Sequence, residues 1–178
     1  MNKAFILFLT LLACSPAESR LPINNKSISF IEKSAIKNKL RAAKEKNLLN
    51  ISALNDSINA YKASPLGFLY SIKQAGKSKK SAKKGDLAKI KYKIEDLNNQ
   101  LLYNEEELGT VSFLVDQEDV IPAIREGVKY LSEGDSGIFL FPSHLCYGFQ
   151  GDREKIGSNQ PLRITINLLT LKKNKKKK

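Results

Sequence analysis

Between residues 88 and 95 the side chains alternate without a break. Ala88, Ile90, Tyr92 and Ile94 fall on one side of an extended chain, and Lys89, Lys91, Lys93 and Glu95 fall on the other. A period of two means a strand with one face in a core and the other in water, the pattern of an antiparallel sheet. Such a strand needs partners, and the chain supplies them. Phe68, Tyr70 and Ile72 alternate with Leu69, Ser71 and Lys73, and Thr110 to Val115, Ile138 to Phe141 and Leu162 to Leu171 are further apolar strands. Asp96-Leu97-Asn98-Asn99 is turn chemistry. One interior segment changes period: Ile121, Ile124, Val128 and Leu131 recur at i, i+3, i+7 and i+10, with Pro122 in the first turn, where a missing N–H costs little. About five strands and one short helix, joined by short connections, predict an α+β domain whose twisted antiparallel sheet wraps around that helix.

The ends follow other rules. Lys3, the apolar run Ala4 to Leu12 and the sequence Leu11-Leu12-Ala13-Cys14 open the chain. An apolar run this short cannot cross a hydrocarbon layer of about 30 Å, which takes roughly 20 residues. Residues 1–13 are therefore expected to be a cleaved signal peptide. A small residue before cysteine resembles a bacterial lipobox, so Cys14 is the expected lipidation site; an ordinary signal peptide with an incidental cysteine is the alternative. Residues 14–27, with Pro16 and Pro22, suit a lipidated tether. This reading puts the protein in the bacterial cell envelope, held to a membrane by a lipid anchor and facing the periplasm. Residues 28–64 carry a helical period, with Ile36, Leu40 and Ala43 on one face and Ile51, Leu54, Ile58 and Tyr61 at i, i+3, i+7 and i+10, ended by Pro65 and Gly67. Either one bent helix or two short ones fit. Too short to own a core, this extension either docks on the following domain, residues 65–172, or pairs with its copy in a homodimer.

A net charge of +12 invites a nucleic-acid reading. However, Lys77 to Lys84 hold five lysines and the stretch from Lys172 to Lys178, nearly all of it the tail 173–178, holds six; without those eleven the charge is +1. Lysine without interleaved arginine or aromatics is poorly suited to reading bases, so no nucleic-acid partner is expected. Of two cysteines, Cys14 is assigned to lipid, and Cys146 reads as a small buried side chain rather than a reactive thiol. No Cys/His cluster in the sequence could hold a metal.

The order of parts after residue 84 carries a resemblance. Lys84-Gly85-Asp86 and Tyr92, then Val120-Ile121 opening a short helix that runs to Gly127, then Glu133-Gly134-Asp135, the strand Ile138 to Phe141, Tyr147-Gly148, and the closing strand Pro161 to Leu171 stand in sequence. This succession resembles the FKBP-type peptidyl-prolyl isomerases over residues 84 to 171. Within that family it closely resembles a branch of gliding-motility-associated lipoproteins, through Tyr103 to Gly109, Phe139 to Ser143, Tyr147 to Asp152 and Ile156 to Pro161.

The resemblance implies an FKBP-like fold and an isomerase that assists the folding of exported proteins, acting on proline-containing polypeptide clients without a cofactor. Its alternative is a non-catalytic chaperone or assembly module on the same scaffold. Tyr92 and Tyr147 would be the catalytic pair, Tyr147 directing its hydroxyl to a substrate carbonyl. Tyr103, Val120, Ile121, Ile124, Ile156 and Ile164 would line the substrate pocket, with a backbone N–H from the helix entrance. Two departures from the family pattern imply weak turnover: Leu102-Tyr103 stands where an aromatic-aspartate pair is usual, and Ile124 stands where tryptophan is frequent. His144, Asp152 and Glu105-Glu106-Glu107 read as surface groups.

Overall fold

The structure, a computed structural model, describes residues 25–73 and 81–173, with side chains from residue 29. The signal segment, Cys14, the tether up to residue 24, part of the inner lysine run and residues 174–178 lie outside the described residues. The chain divides into a unit ending at Asn38 and a compact unit from Lys39 onward. Helix α1, Asn25–Asn55, passes through both. Then come β1 (Lys62–Ala63), β2 (Leu69–Lys73), β3 (Leu87–Glu95), β4 (Leu101–Tyr103), α2 (Glu105–Leu108), β5 (Thr110–Leu114), α3 (Pro122–Val128), β6 (Ser136–Phe141) and β7 (Leu162–Lys172).

The strands form one antiparallel sheet in the order β1-β2-β6-β7-β3-β4, with β5 also on β3. Seven strands stand where five were expected. The two additions, β1 and β4, are two and three residues long, too short to show an alternation. Strand β3 organises the rest. One edge runs along β7 from Leu87↔Lys172 to Glu95↔Arg163, while its other edge is shared by β5 up to Lys91 and by β4 from Ile94. A register shift at Ile94/Glu95 marks the join with β4.

The inward residues follow the alternation: Ala88, Ile90 and Ile94 are buried, as are Leu162, Ile164, Ile166 and Leu168 opposite them. Helix α3 lies on this face and buries Ala123, Ile124, Gly127 and Val128. A Cβ on Gly127 would stand 2.8 Å from Ile166 Cδ1 and 3.3 Å from the Phe141 ring, so glycine is what lets the helix settle onto β6 and β7. The helix is a turn shorter than its apolar period, because the N–H groups of Tyr130 and Leu131 bond to the carbonyls of Gly127 and Val128 in a tighter turn. Leu131 is nonetheless fully buried. Behind the helix, Phe68, Tyr70, Tyr130, Phe139 and Phe141 interlock, with the Tyr70 and Tyr130 rings 4.5 Å apart and Phe68 and Phe141 4.8 Å apart.

Two expectations for the N-terminal extension need correction. The helix ends at Asn55, not near Pro65: the Asp56 carboxylate accepts the N–H groups of Ile58 and Asn59 and turns the chain, so Ile58 and Tyr61 are not helical. Within the compact unit, the apolar stripe does not face the domain. Leu40, Ile51 and Leu54 are exposed, Leu54 to 81%. The opposite face docks instead, through Arg41, Glu45, Leu49 and Ser52, of which Leu49 is 1% exposed. A hydrophobic period finds a greasy face, but here polar side chains answering loop carbonyls and amides decide the docking.

Candidate functional site

Tyr92 of β3, Val120 and Ile121 at the start of α3, and Tyr147 in the connection between β6 and β7 all pack against the main core. Tyr92 is the one half-buried member of the inward set on β3, opposite Ile166 on β7. Burial pushes its phenol above the usual tyrosine range. Tyr147 follows a short turn, Ser143–Leu145, in which the Ser143 carbonyl accepts the N–H groups of Cys146 and Gly148 at 3.0 and 2.9 Å. The Tyr147 hydroxyl is pushed up to about 12, first by burial and then by the charges of Tyr92 and Asp152. The three groups therefore share one neighbourhood. The Tyr147 hydroxyl donates to no described residue, which leaves it open to a carbonyl.

The floor is apolar and closed. Ile124, Ile156 and Ile164 are 2%, 3% and 0% exposed and belong to the main core, with Tyr92, Leu102, Tyr103, Val120, Ile121 and Tyr147 packed against it at half depth. At the helix entrance, the Val120 N–H bonds to the Glu118 carbonyl and the Ile121 carbonyl accepts from Ile124 and Arg125. The Ile121 N–H has no partner among the described residues and is the donor available to a ligand. All eight domain residues singled out in the sequence thus lie in or directly against one core cluster. Cys14 lies outside the described residues.

Asp152 is a correction to the sequence reading. Half-buried rather than a free surface group, its Oδ2 accepts the Tyr103 hydroxyl and its Oδ1 accepts the N–H groups of Glu154 and Ile156 at 2.9 and 2.7 Å. Burial pushes this carboxyl up, but those hydrogen bonds outweigh it and hold Asp152 below the ordinary aspartate range. The same bonds raise the Tyr103 phenol, since a donor held by a carboxylate gives up its proton reluctantly. A carboxylate missing from the second strand is thus present nearby, delivered by a loop 49 residues later. The only sequence hint is Gly151. It has φ +63°, and a Cβ there would stand 2.2 Å from the Ile156 carbonyl oxygen, so the loop closes tightly at that point. Lys155 braces the outside, 4.5 Å over the Tyr103 ring and 2.8 Å from Glu107.

Three nearby groups settle into other roles. Glu107 completes a capping box with Asn104 at the start of α2, and Glu105 accepts the Asn167 side chain. His144 is exposed, as expected. Cys146 is 8% exposed, and burial, reinforced by the charge of Glu45, pushes its thiol far above the usual range, so it stays protonated and inert. A cleft of about 620 Å³ between Ile58 and Lys73 lies at the β2 edge, away from this cluster.

Residues 78–169 match the sequence profile of the FKBP-type peptidyl-prolyl cis-trans isomerases. A probable FKBP-type peptidyl-prolyl cis-trans isomerase, FkpA of Neisseria meningitidis serogroup B, is 31% identical over 134 residues, which are 74% of this chain and 47% of that protein. The chain spans about half the length of this relative. The crystal structure of FkpA from Escherichia coli has a TM-score of 0.60 at 24% identity over 97% of this chain and 83% of that one. A peptidyl-prolyl cis-trans isomerase structure from Pseudomonas syringae pv. tomato has a TM-score of 0.60 at 16% identity over 76% and 96%. These two share the fold, and the profile and the sequence identity decide the rest: this chain belongs to the FKBP-type peptidyl-prolyl cis-trans isomerase family.

Proposed function

We propose that the protein is a peptidyl-prolyl cis-trans isomerase that assists the folding of exported polypeptides. The observation that carries this is that Tyr92 and Tyr147, close enough for one phenol to act electrostatically on the other, pack with Ile121 and its open N–H against one apolar core. An X-Pro bond turns slowly because amide resonance raises a barrier of about 18–20 kcal/mol. In the twisted state the nitrogen has lost conjugation, and the group is less polar than the planar amide. Apolar walls favour that state over the planar one, while the Ile121 N–H and the Tyr147 hydroxyl hold the flanking carbonyls. A thousandfold acceleration needs only about 4 kcal/mol of such preference, within reach of shape and two hydrogen bonds.

Purified protein from residue 27 onward is expected to accelerate cis-to-trans conversion of a proline peptide. Tyr147→Phe should lower kcat/KM about two- to tenfold, the worth of one neutral hydrogen bond. A parent protein no faster than buffer refutes the isomerase reading. The near-complete burial of Ile124, Ile156 and Ile164 favours a second reading, a non-catalytic chaperone or assembly module. It predicts that the same protein binds proline peptides and keeps unfolded clients soluble without isomerising them.

We further propose that the protein belongs to the cell envelope, tethered through Cys14 and facing the periplasm, and that it is a relative of the gliding-motility-associated lipoprotein GldI, which it resembles over Tyr103 to Gly109, Phe139 to Ser143, Tyr147 to Asp152 and Ile156 to Pro161. Supporting the membrane reading, Lys83, Lys84, Lys89, Lys91, Lys172 and Lys173 are exposed at the start of β3 and the neighbouring end of β7, and none pairs with a described carboxylate. Such a face suits an anionic bilayer. Metabolic labelling with palmitate tests the anchor, and Cys14→Ser should abolish it. The exposed stripe of Leu40, Ile51 and Leu54 suits a second copy of the chain, and Ile51→Glu should then convert a dimer to a monomer in light scattering.

A further inference from the structure

We propose that the docked part of helix α1 belongs to the site: Glu45 and Arg41 are positioning residues that lock the two loops carrying Tyr147 and Ile156 into one rigid frame. Glu45 is 5% exposed, and both of its carboxylate oxygens are used. Oε2 accepts the Ser143 backbone N–H and Oε1 accepts the Ser143 hydroxyl, each at 2.8 Å. Ser143 is thereby fixed from the helix side. Its carbonyl in turn accepts the N–H of Gly148 at 2.9 Å, the Gly148 carbonyl accepts the N–H of Asn159 at 2.7 Å, and the Asn159 side-chain oxygen accepts Arg41 at 2.7 Å. Arg41 and Glu45 are one helical turn apart on the same face. The five residues close a ring, from Arg41 through Asn159, Gly148 and Ser143 to Glu45 and back along the helix.

Tyr147 lies inside the ring, one residue before Gly148. Ile156 lies three residues before Asn159, in the segment that Asp152 ties down. A helix remote in sequence therefore sets the angle at which the Tyr147 hydroxyl meets a substrate carbonyl. A merely structural dock would have no reason to spend a buried carboxylate on one loop serine. Ser52 gives the contrast: its hydroxyl holds the Leu97 carbonyl at 3.0 Å, a contact of the same helix outside the ring.

The proposal rests on the isomerase reading for its effect on rate, and its test carries one readout that does not. The full chain is compared with Glu45→Ala, Glu45→Gln, Arg41→Ala and Ser52→Ala, by peptide isomerisation per folded molecule and by amide exchange at Gly148 and Asn159. Misplacing a contact made in the transition state costs kcat more than KM, so Glu45→Ala should lower kcat about tenfold or more with little change in KM. Exchange at both amides should quicken by a similar factor. Glu45→Gln keeps an acceptor for the Ser143 N–H and should recover most of the rate, Arg41→Ala should fall between, and Ser52→Ala should match the parent in both readouts. The proposal is overturned if Glu45→Ala stays within about twofold of the parent in exchange, or if Ser52→Ala disturbs the loops as much. Should the parent prove inactive, the isomerase reading fails alone, and exchange at Gly148 and Asn159 still decides whether the clamp exists.

Discussion

Replacing Asp152 with alanine removes three hydrogen bonds at once, and the structure says which of them matters. The Tyr103 hydroxyl is exposed, and the Glu154 N–H belongs to an exposed residue, so water replaces Asp152 at both for little net cost. The Ile156 N–H is different, because Ile156 is 3% exposed and its amide, 2.7 Å from Asp152 Oδ1, would be stranded. An unsatisfied buried donor costs about 1–3 kcal/mol. For a domain of this size that is a fall in Tm of roughly 3–10 °C. Asp152→Asn is the matched control: its carbonyl oxygen still accepts both backbone N–H groups, while its amide cannot accept the Tyr103 hydroxyl, so the loss should stay below about 1 kcal/mol. Thermal unfolding and peptide isomerisation, run side by side, check both variants. A second handle is acidity. The folded Asp152 carboxyl lies below its unfolded value of about 3.9, so its contribution is present above that pH and is lost as pH falls through the folded value. Alanine should remove this acid-limb dependence. Equal stability and activity of Asp152→Ala and the parent, or an asparagine variant as damaged as the alanine one, would refute the assignment.

Three further outcomes follow from individual contacts. Gly151→Ala should cost at least about 1–3 kcal/mol in urea unfolding, because it forces a side chain into a left-handed backbone and against the Ile156 carbonyl. In a Cys14→Ser background, Cys146 should resist a thiol reagent at pH 8 in the native protein and react once denatured, since burial holds its thiol protonated; fast native labelling would contradict that. Burial pushes the Asp56 carboxyl up, but hydrogen bonds from Asn59, Tyr61 and Arg163 outweigh it and hold the group well below its ordinary range. Its stabilisation is therefore complete above about pH 4 and lost below. Asp56→Asn should flatten stability between about pH 4 and 2 in acid titrations followed by circular dichroism.

Local pattern proved readable where one face is oil and the other water. The alternation on β3 and the 3.6-residue period of α3 named most of the buried residues, because those periods are set by backbone geometry alone; the exception is Glu95, read as water-facing but only 8% exposed, beside Lys93 and Arg163. The order of these elements also carried the family. Short strands escaped, since two or three residues hold no period. The α1 helix was legible as a helix, but its docked face was not: Glu45 and Ser52 look like solvent residues until Ser143 and Leu97 are known to lie opposite them.

Amino-acid order alone thus settled most of the side chains that turn inward on the long strands and on α3, since that depends on neighbours within a turn or a pleat. What the folded arrangement settled were the pairings across distance: Tyr103 with Asp152, 49 residues on; Glu45 with Ser143, 98 residues on; and the lysines before β3 with those ending β7. A carboxylate's meaning depends on what faces it, and sheet register and helix docking, neither of them written in any local stretch, decide what that is.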